Sequence, residues 1–233
     1  MNLPNYTLRY SKKAKYLQLR LSSHGLEVVA PIKKQLANHV IEQFIQQKQL
    51  WIEKNWHKIC QNRNPEIEAQ ILPTQINLNA MNQTWEVVYI PTSQKGIKLL
   101  VNLSRQISLI GDINNKNLCV KSLRLWLKQM AQDYLHEELI SLAKQTKLTF
   151  QKMSIHNNTS RWGSCSSQGN INLCCKLLLL PPLLMRHVLL HELCHTKAMH
   201  HGKKFWKLLS QFDPAAKIHA KQLKTMPMPW WIK

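Results

Sequence analysis

Five consecutive residues, His191-Glu192-Leu193-Cys194-His195, combine two histidines and a glutamate at a spacing typical of metal-dependent hydrolases. Histidines four residues apart lie on one face of an α-helix, one turn apart, where both imidazoles can bind the same ion. Glu192 does not easily reach that ion, but its carboxylate can accept a proton from a water at an open coordination position. The spacing therefore predicts a catalytic metal site on a helix.

Acidic side chains are rare around this motif. Between Leu139 and Lys233 the sequence contains only two carboxylates, Glu192 and Asp213. A structural metal site needs no base beside its ligands, whereas a hydrolytic site does. The position of Glu192 therefore favours a hydrolytic site over a structural one.

A catalytic site of this kind needs a third protein ligand, and His200 and His201 are the nearby candidates. His201 follows His195 by six residues, the same offset as the third histidine of the H-E-x-x-H-x-x-G-x-x-H pattern of metzincins. Ala198 stands where that pattern has the glycine at which the chain turns. His187 lies about 12 Å along the helix from His195, too far to share the ion, and is expected to be an ordinary helix histidine.

Several segments around the motif closely resemble the YgjP-like metallopeptidase domain. They are residues 158–166, with the sequence Asn-Thr-Ser-Arg-Trp-Gly-Ser-Cys-Ser, residues 169–173, the apolar run to Pro181-Pro182, the motif at 191–195, and His201 followed by Phe205-Trp206. This family is similar to the SprT-like and WLM zinc proteases, which have a zincin-type core. The strong resemblance covers residues 150–212, and the N-terminal strands and the helix around Trp51 match less specifically.

The resemblance implies one zinc ion (Zn2+) bound by His191, His195 and His201, with Glu192 as the catalytic base. It favours His201 over His200 as the third ligand. It also implies that the reaction is hydrolysis of a peptide bond in a peptide or protein substrate.

Two further elements near the motif have candidate roles. In zincin-type enzymes a strand before the metal helix lines the cleft and pairs with extended substrate, and residues 170–175 are the candidate strand. Its alternative role is simple core sheet. Arg161 is a candidate for stabilising the oxyanion that develops during water attack, and the alternative is a loop arginine that caps carbonyl groups.

Hydrophobic periodicity predicts an α+β fold. Alternating patterns indicate a small antiparallel unit of strands at residues 6–10, 16–21 and 26–30, followed by one amphipathic helix at 35–59. The later elements are expected, in chain order, as strands at 85–90, 97–103 and 107–110, a helix at 118–144, strands at 153–159 and 170–180 around a polar loop, and helices at 183–199 and 203–211. We expect a β-rich N-terminal domain at residues 1–118 and a zincin-like hydrolase domain, with the HExxH helix, at residues 119–233.

The chain carries 32 basic and 12 acidic side chains, a formal net charge of +20. Such a charge attracts nucleic acid, anionic lipid or acidic substrates, or belongs to a generally basic solvated surface. Two alternatives to peptide hydrolysis therefore stay open. One is a metal-dependent hydrolase of nucleotides or phosphoanhydrides, and the other is a nucleic-acid-binding protein with a structural metal site.

The sequence has no feature typical of a membrane protein or of an exported one. Its first residues lack the apolar stretch of a signal peptide, and its longest apolar run, residues 177–190, is interrupted by prolines, an arginine and a histidine. The six cysteines include no C-x-x-C pair and are expected to be reduced thiols. These features predict a cytoplasmic protein with no membrane partner.

Overall fold

The computed structural model describes residues 6–12, 14–22, 25–32, 36–61 and 71–232, without the side chains of residues 57–61. The chain forms two compact units, Met1–Ala69 and Gln70–Lys233. Helices and small mixed sheets alternate along both units, so the predicted α+β class is confirmed.

The first unit is a three-stranded sheet followed by two helices. Strands β1 (Tyr6–Ser11), β2 (Gln18–Ser22) and β3 (Gly25–Pro31) lie in the order β1-β3-β2. Helices α1 (Asn38–Gln47) and α2 (Gln49–Gln61) follow. The apolar side chains buried in this unit come from β3 and from both helices: Leu26, Val28, Ile41, Ile45 and Ile52.

The structure corrects two predictions for this unit. β1 runs parallel to β3, so the sheet is mixed and not antiparallel. The predicted helix at residues 35–59 is two helices, because the backbone leaves helical geometry at Lys48 (φ −102°, ψ 9°). Hydrophobic periodicity reports which face of an element is buried, but neither strand direction nor a break at one residue. Residue 35, the first residue of that predicted helix, lies outside the described residues.

One long helix, α3 (Lys116–Thr146), organises the second unit. Its first turn is capped by Asn115, whose side chain accepts a hydrogen bond from the Leu118 N–H. A four-stranded sheet precedes it, in the order β4-β5-β7-β6. Its strands are β4 (Gln75–Leu78), β5 (Gln83–Pro91), β6 (Ile97–Val101) and β7 (Gln106–Gly111).

The boundary between the two units differs from the expected one. The sequence predicted a domain boundary between residues 118 and 119, whereas the two compact units of the structure meet between Ala69 and Gln70. Strands β4 to β7 belong to the second unit because their buried side chains, such as Ile76 and Leu109, share one core with Leu127 of α3. Local patterning indicates where an element begins, but not which core buries its apolar face.

A second, three-stranded sheet and three helices complete this unit. Strands β8 (Lys152–His156), β9 (Gly163–Cys165) and β10 (Asn170–Cys174) lie in the order β8-β10-β9, with β8 parallel and β9 antiparallel to β10. The helices are α4 (Pro182–His195), α5 (Lys203–Phe212) and α6 (Ala216–Leu223).

Three elements of this region differ from the prediction. β9 lies within residues 160–169, which were expected to be a loop, and α6 was not predicted. The strand expected at residues 170–180 ends at Cys174, and Cys175–Leu179 form a 3₁₀ helix. That run is buried throughout, and a continuous apolar run does not distinguish a strand from a helical turn.

The described residues also test the predictions about membrane spans and reduced cysteines. None of their helices combines the length and the apolar character needed to cross a bilayer. The five cysteines among them carry free thiols: Cys119, Cys165, Cys174, Cys175 and Cys194.

Candidate metal centre

Helix α4 and the turn after it bring three imidazoles together. His191 and His195 lie one turn apart on α4, and His201 approaches from the segment before α5. The Nε2 atom of His195 lies 3.1 Å from those of His191 and His201, which are 2.9 Å from each other. Ligand nitrogens of a tetrahedral zinc ion, with bonds of about 2.05 Å, are about 3.3 Å apart, so the three nitrogens could hold such an ion.

The chain turns back to the cluster without a glycine. α4 starts at Pro182, where the first helical N–H needs no partner, and ends at His195. In the turn, the Ala198 N–H donates to the Cys194 carbonyl over 3.0 Å, and Ala198 does not adopt a left-handed conformation. Gly202 then precedes the first residue of α5. The glycine of the metzincin pattern is therefore not required for this turn.

A hydrogen bond in this turn decides which nitrogen of His195 faces the cluster. The Ala198 carbonyl oxygen can only accept, so His195 Nδ1 carries the proton and donates it over 3.1 Å. The Nε2 lone pair therefore points at the other two histidines. Burial lowers the pKa of His195, and burial with a smaller contribution from neighbouring histidines lowers the pKa of His191 to about 3. Neutral imidazoles with convergent lone pairs are ligands for a cation.

An aromatic side chain from α5 supports all three imidazoles. The Phe205 ring is fully buried, and its centroid lies 4.6–4.8 Å from the ring centroids of the three histidines. Trp206 is partly buried and packs edge-on against Phe205 at 5.6 Å. This apolar support restricts the orientation of the rings. The sequence included Phe205 only as part of the resemblance, because its contact with the histidines depends on how α5 folds back onto α4.

Glu192 lies beside the cluster in an unusual environment for a carboxylate. It is 5% exposed, and within the described part of the chain its Oε2 atom is buried without a hydrogen-bond partner. Burial raises the pKa of Glu192 to about 8, although the charge of Arg161 acts in the opposite direction. A buried oxygen without a donor is unfavourable, and a nearby cation with its water would relieve this penalty. The environment of Glu192 therefore fits a metal at the three histidines.

The backbone of β9 lies directly against this carboxylate. A methyl group at Gly163 would lie 2.7 Å from Glu192 Oε1, closer than real side-chain contacts allow. A glycine at this position is therefore needed for β9 to approach α4. In the sequence, Gly163 was notable only as one of the residues that resemble the family. Nothing else in the sequence indicated its close approach to Glu192.

Two other residues predicted near the site, His200 and Arg161, do not belong to the cluster of three histidines. His200 is exposed, and the group of three convergent nitrogens does not include it. Arg161 is exposed in the loop before β9, and its charge lowers the pKa of Glu192 against the effect of burial.

The strand expected to pair with substrate is not available for pairing. β10 is the central strand of its sheet, and both of its edges are occupied, by β8 and β9. The substrate-pairing role expected for residues 170–175 is therefore wrong, and β10 has the alternative role of core sheet. The edge strand on the α4 side is β9, which the sequence did not predict.

A second polar cluster involves the same helix face. His187 Nδ1 lies 2.5 Å and His219 Nδ1 lies 2.9 Å from Oδ2 of Asp213. Burial opposes ionisation of Asp213, but the hydrogen bonds from His219 and His187 outweigh it and hold the pKa of Asp213 below its usual value. His187 is thus a buried, hydrogen-bonded residue and not an ordinary helix histidine. Its partners were not foreseen because they lie in or near α6, which was not predicted.

Comparison with known proteins agrees with the geometry of the three histidines and Glu192. The model of the YgjP-like metallopeptidase domain matches residues 15–226, a range that contains the three histidines and Glu192. Among curated proteins and among solved structures, none matches the chain. A metallopeptidase domain implies a divalent metal and a hydrolytic reaction. Because the match covers most of its length, this chain belongs to the YgjP-like metallopeptidase domain family.

Proposed function

We propose that this protein is a zinc-dependent peptidase whose metal ligands are His191, His195 and His201. One observation carries the proposal. Three Nε2 atoms converge within 3.1 Å, and Glu192, which directly follows His191 in α4, is a buried carboxylate with an oxygen that has no partner among the described residues. Two histidines on one turn, a third histidine and an adjacent carboxylate are the groups that hydrolytic zinc sites use.

When bound, a zinc ion supplies Lewis-acid activation of water and of a carbonyl group. Glu192 accepts a proton from the attacking water and then transfers it to the leaving amine. A cation bound at the three histidines would lower the pKa of Glu192 from its raised value, so that the carboxylate would be ionised and able to act as a base. Gly163 leaves room for the carboxylate of Glu192 to lie directly against β9.

Arg161 and β9 complete the proposed site. The charge of Arg161 acts on Glu192, which supports a role in stabilising negative charge at the reacting carbonyl. β9 is an edge strand that packs against α4, and an extended peptide can add to such an edge by main-chain hydrogen bonds. We assign the activity to the unit at residues 70–233, since its single core contains α4 and both sheets.

The two alternatives from the sequence have less support. A nucleic-acid-binding protein with a structural metal does not need Glu192, a buried base with an unpartnered oxygen. Hydrolysis of nucleotides has no supporting observation beyond the net charge of +20, and the family description favours a peptide. A cytoplasmic location stays a prediction from the sequence.

The test of this proposal is the Glu192→Gln variant. Glutamine has the same size, but it cannot accept the proton. We expect unchanged zinc content, measured by inductively coupled plasma mass spectrometry, and a roughly hundredfold or larger loss of peptide hydrolysis. Hydrolysis would be followed on a mixture of unstructured peptides by mass spectrometry, with nucleotides assayed in parallel.

A matched variant, Glu137→Gln, removes one carboxylate from an exposed position of α3 and controls for net charge. It should retain full turnover. Unchanged turnover in Glu192→Gln would contradict the proposed mechanism, and cleavage of nucleotides alone would contradict the proposed substrate. Loss of zinc from Glu192→Gln would make this residue a ligand or a structural support.

A further inference from the structure

A polar cleft with a volume of about 410 Å³ lies between the end of β8, the loop before β9, and the adjacent part of the sheet. The eight residues that line it are all polar or basic, and none carries a carboxylate. They include Arg161 of the loop before β9 and three strand residues, His156, Ser164 and Asn172. This volume lies within the range of small-ligand pockets in proteins.

The floor of the cleft is a row of hydrogen-bonded side chains across the sheet. Asn172 of β10 is aligned with Ser154 of β8 and with Ser164 of β9. The Ser154 hydroxyl donates to Asn172 Oδ1, and Asn172 Nδ2 lies 3.5 Å from the Ser164 hydroxyl oxygen. These bonds orient the Asn172 amide, with its N–H groups on the Ser164 side. The floor therefore offers hydrogen-bond donors in a fixed arrangement.

Positive charge at the cleft is not neutralised by nearby ion pairs. None of the salt bridges among the described residues involves Arg161 or Lys176. Lys176 is buried, and its Nζ atom donates to the carbonyl oxygen of Asn158, a lining residue, over 2.9 Å. Donors combined with a positive charge that has no direct ion pair among the described residues favour an anionic group.

The cleft and the proposed catalytic base lie on opposite faces of β9. Gly163 faces Glu192, and Ser164 is the next residue, so its side chain points to the other face of the strand. Arg161, two residues before Gly163, lines the cleft and also acts on the charge of Glu192. A peptide paired with the edge of β9 would alternate its side chains between these faces. A residue next to the one facing the metal would then direct its side chain towards the cleft.

We propose that this cleft is a substrate subsite that binds a carboxylate group, either of an aspartate or glutamate side chain or of the C-terminus of the peptide. The inference rests on the proposed peptidase function and specifies the class of peptide. The guanidinium of Arg161 supplies the charge, and the donors of Ser164 and Asn172 supply orientation.

The test compares matched peptides with the zinc-loaded full-length protein. Peptides that differ only by glutamate or glutamine at successive positions would be compared by kcat/KM. We expect a preference of about tenfold for glutamate at one position, the low end for a hydrogen bond to a charged group, because Arg161 is exposed. Amidation of the C-terminus separates the two carboxylate sources. If a side-chain carboxylate is bound, amidation leaves the glutamate preference unchanged. If the terminal carboxylate is bound, the glutamate and glutamine peptides are cleaved equally and amidation lowers kcat/KM of both by about tenfold.

Variants of Arg161 test the origin of the preference. Arg161→Gln should give equal kcat/KM for the two peptides, and Arg161→Glu should favour a lysine peptide over the glutamate peptide. The ratio of two peptides within one variant cancels any loss of turnover that affects both. Lys121→Gln removes one exposed charge from α3 and should keep the wild-type ratio.

Binding to Glu192→Gln protein separates failure of the subsite from failure of the peptidase proposal. Fluorescence anisotropy would measure the affinity of this protein for the same labelled peptides. Arg161-dependent preference for the glutamate peptide supports the subsite even if no peptide is cleaved. Equal affinity and equal kcat/KM for the glutamate and glutamine peptides, together with no effect of C-terminal amidation, would overturn it. Tighter Arg161-dependent binding of a single-stranded oligonucleotide than of any acidic peptide would also overturn it.

Discussion

Two histidine clusters lie on the same face of α4, and their hydrogen-bonding partners differ. In the first cluster, the Nε2 atoms of His191, His195 and His201 face one another. In the second, the Nδ1 atoms of His187 and His219 face a carboxylate oxygen of Asp213. In both clusters, the potential ligand atoms lie within 4.8 Å of one another.

The difference shows why proximity alone does not define a metal site. An ionised carboxylate accepts two N–H donors, so the second cluster satisfies its own hydrogen bonds. In the first cluster, His195 uses its N–H for the Ala198 carbonyl, and its Nε2 lone pair faces nitrogens. Lone pairs facing one another are unfavourable unless a cation lies between them. We therefore expect metal binding at the first cluster and a structural role for the second.

Removal of one proposed ligand should have the largest effect. His195→Ala deletes an imidazole from the first cluster, and we expect it to lose the metal and all hydrolytic activity. Wild-type protein should carry about one zinc ion per chain, as measured by inductively coupled plasma mass spectrometry.

The matched control for this prediction is His187→Ala, four residues before the motif on the same helix. It should retain the ion, because His187 belongs to the second cluster. Two ions in the wild-type protein, with one lost in each variant, would mean that both clusters bind metal. The proposed difference between a metal-binding cluster and a structural cluster would then be wrong.

The adjacent histidines His200 and His201 provide the next test. His201→Ala should weaken zinc affinity by more than roughly a hundredfold, beyond the usual effect of outer-shell residues. His200→Ala should bind zinc like the wild type, since His200 is exposed outside the cluster. Competition with a zinc chelator measures both affinities, and the opposite ranking would show that the turn presents His200 to the metal.

Loss of the Asp213 carboxylate should destabilise the protein without removing its metal. Asp213→Ala leaves two imidazole N–H donors without an acceptor, one of them in His187, which is 2% exposed. We expect a decrease of about 3 kcal/mol in the free energy of unfolding, measured by urea denaturation at saturating zinc. His219→Ala removes one of the two hydrogen bonds and should have a smaller effect. An unchanged stability of Asp213→Ala would rule out a structural role for this cluster.

The pH dependence of stability should give the smallest effect. Burial lowers the pKa of His187 below its usual 6.5, despite the opposing effect of Asp213. The unfolded chain therefore takes up a proton at this residue more readily than the folded protein, so the contribution of His187 to stability falls as the pH decreases below 6.5. The lowered pKa of Asp213 adds a further loss as the pH falls through its folded value, below the usual 3.8.

This dependence would be measured by thermal unfolding of metal-free protein between pH 7 and 5, so that loss of metal does not contribute. His191 and His219 also lie near His187, and both remain in a His187→Gln variant. Between pH 7 and 5, the melting temperature of this variant should fall less with decreasing pH than that of the wild type. Equal slopes would show that His187 does not resist protonation in the folded protein.

Much of the fold could be predicted from local patterns. The long helix expected at residues 118–144 is α3, and the helix expected at 203–211 is α5. The errors occur where direction, continuity or partners matter: parallel pairing of β1, the break at Lys48, and the short strand β9. Three residues of strand have too little periodicity to be recognised without the strand that pairs with them.

The sequence alone determined the relation between His191, Glu192 and His195, because helix periodicity is a local property of the backbone. It also determined the family, because residues 15–226 match one model. The tertiary structure decided which histidine after the helix joins the other two, which side chains surround His187, and which strand has a free edge. These features depend on contacts between residues far apart in the chain or across a turn, and local propensity does not specify such contacts.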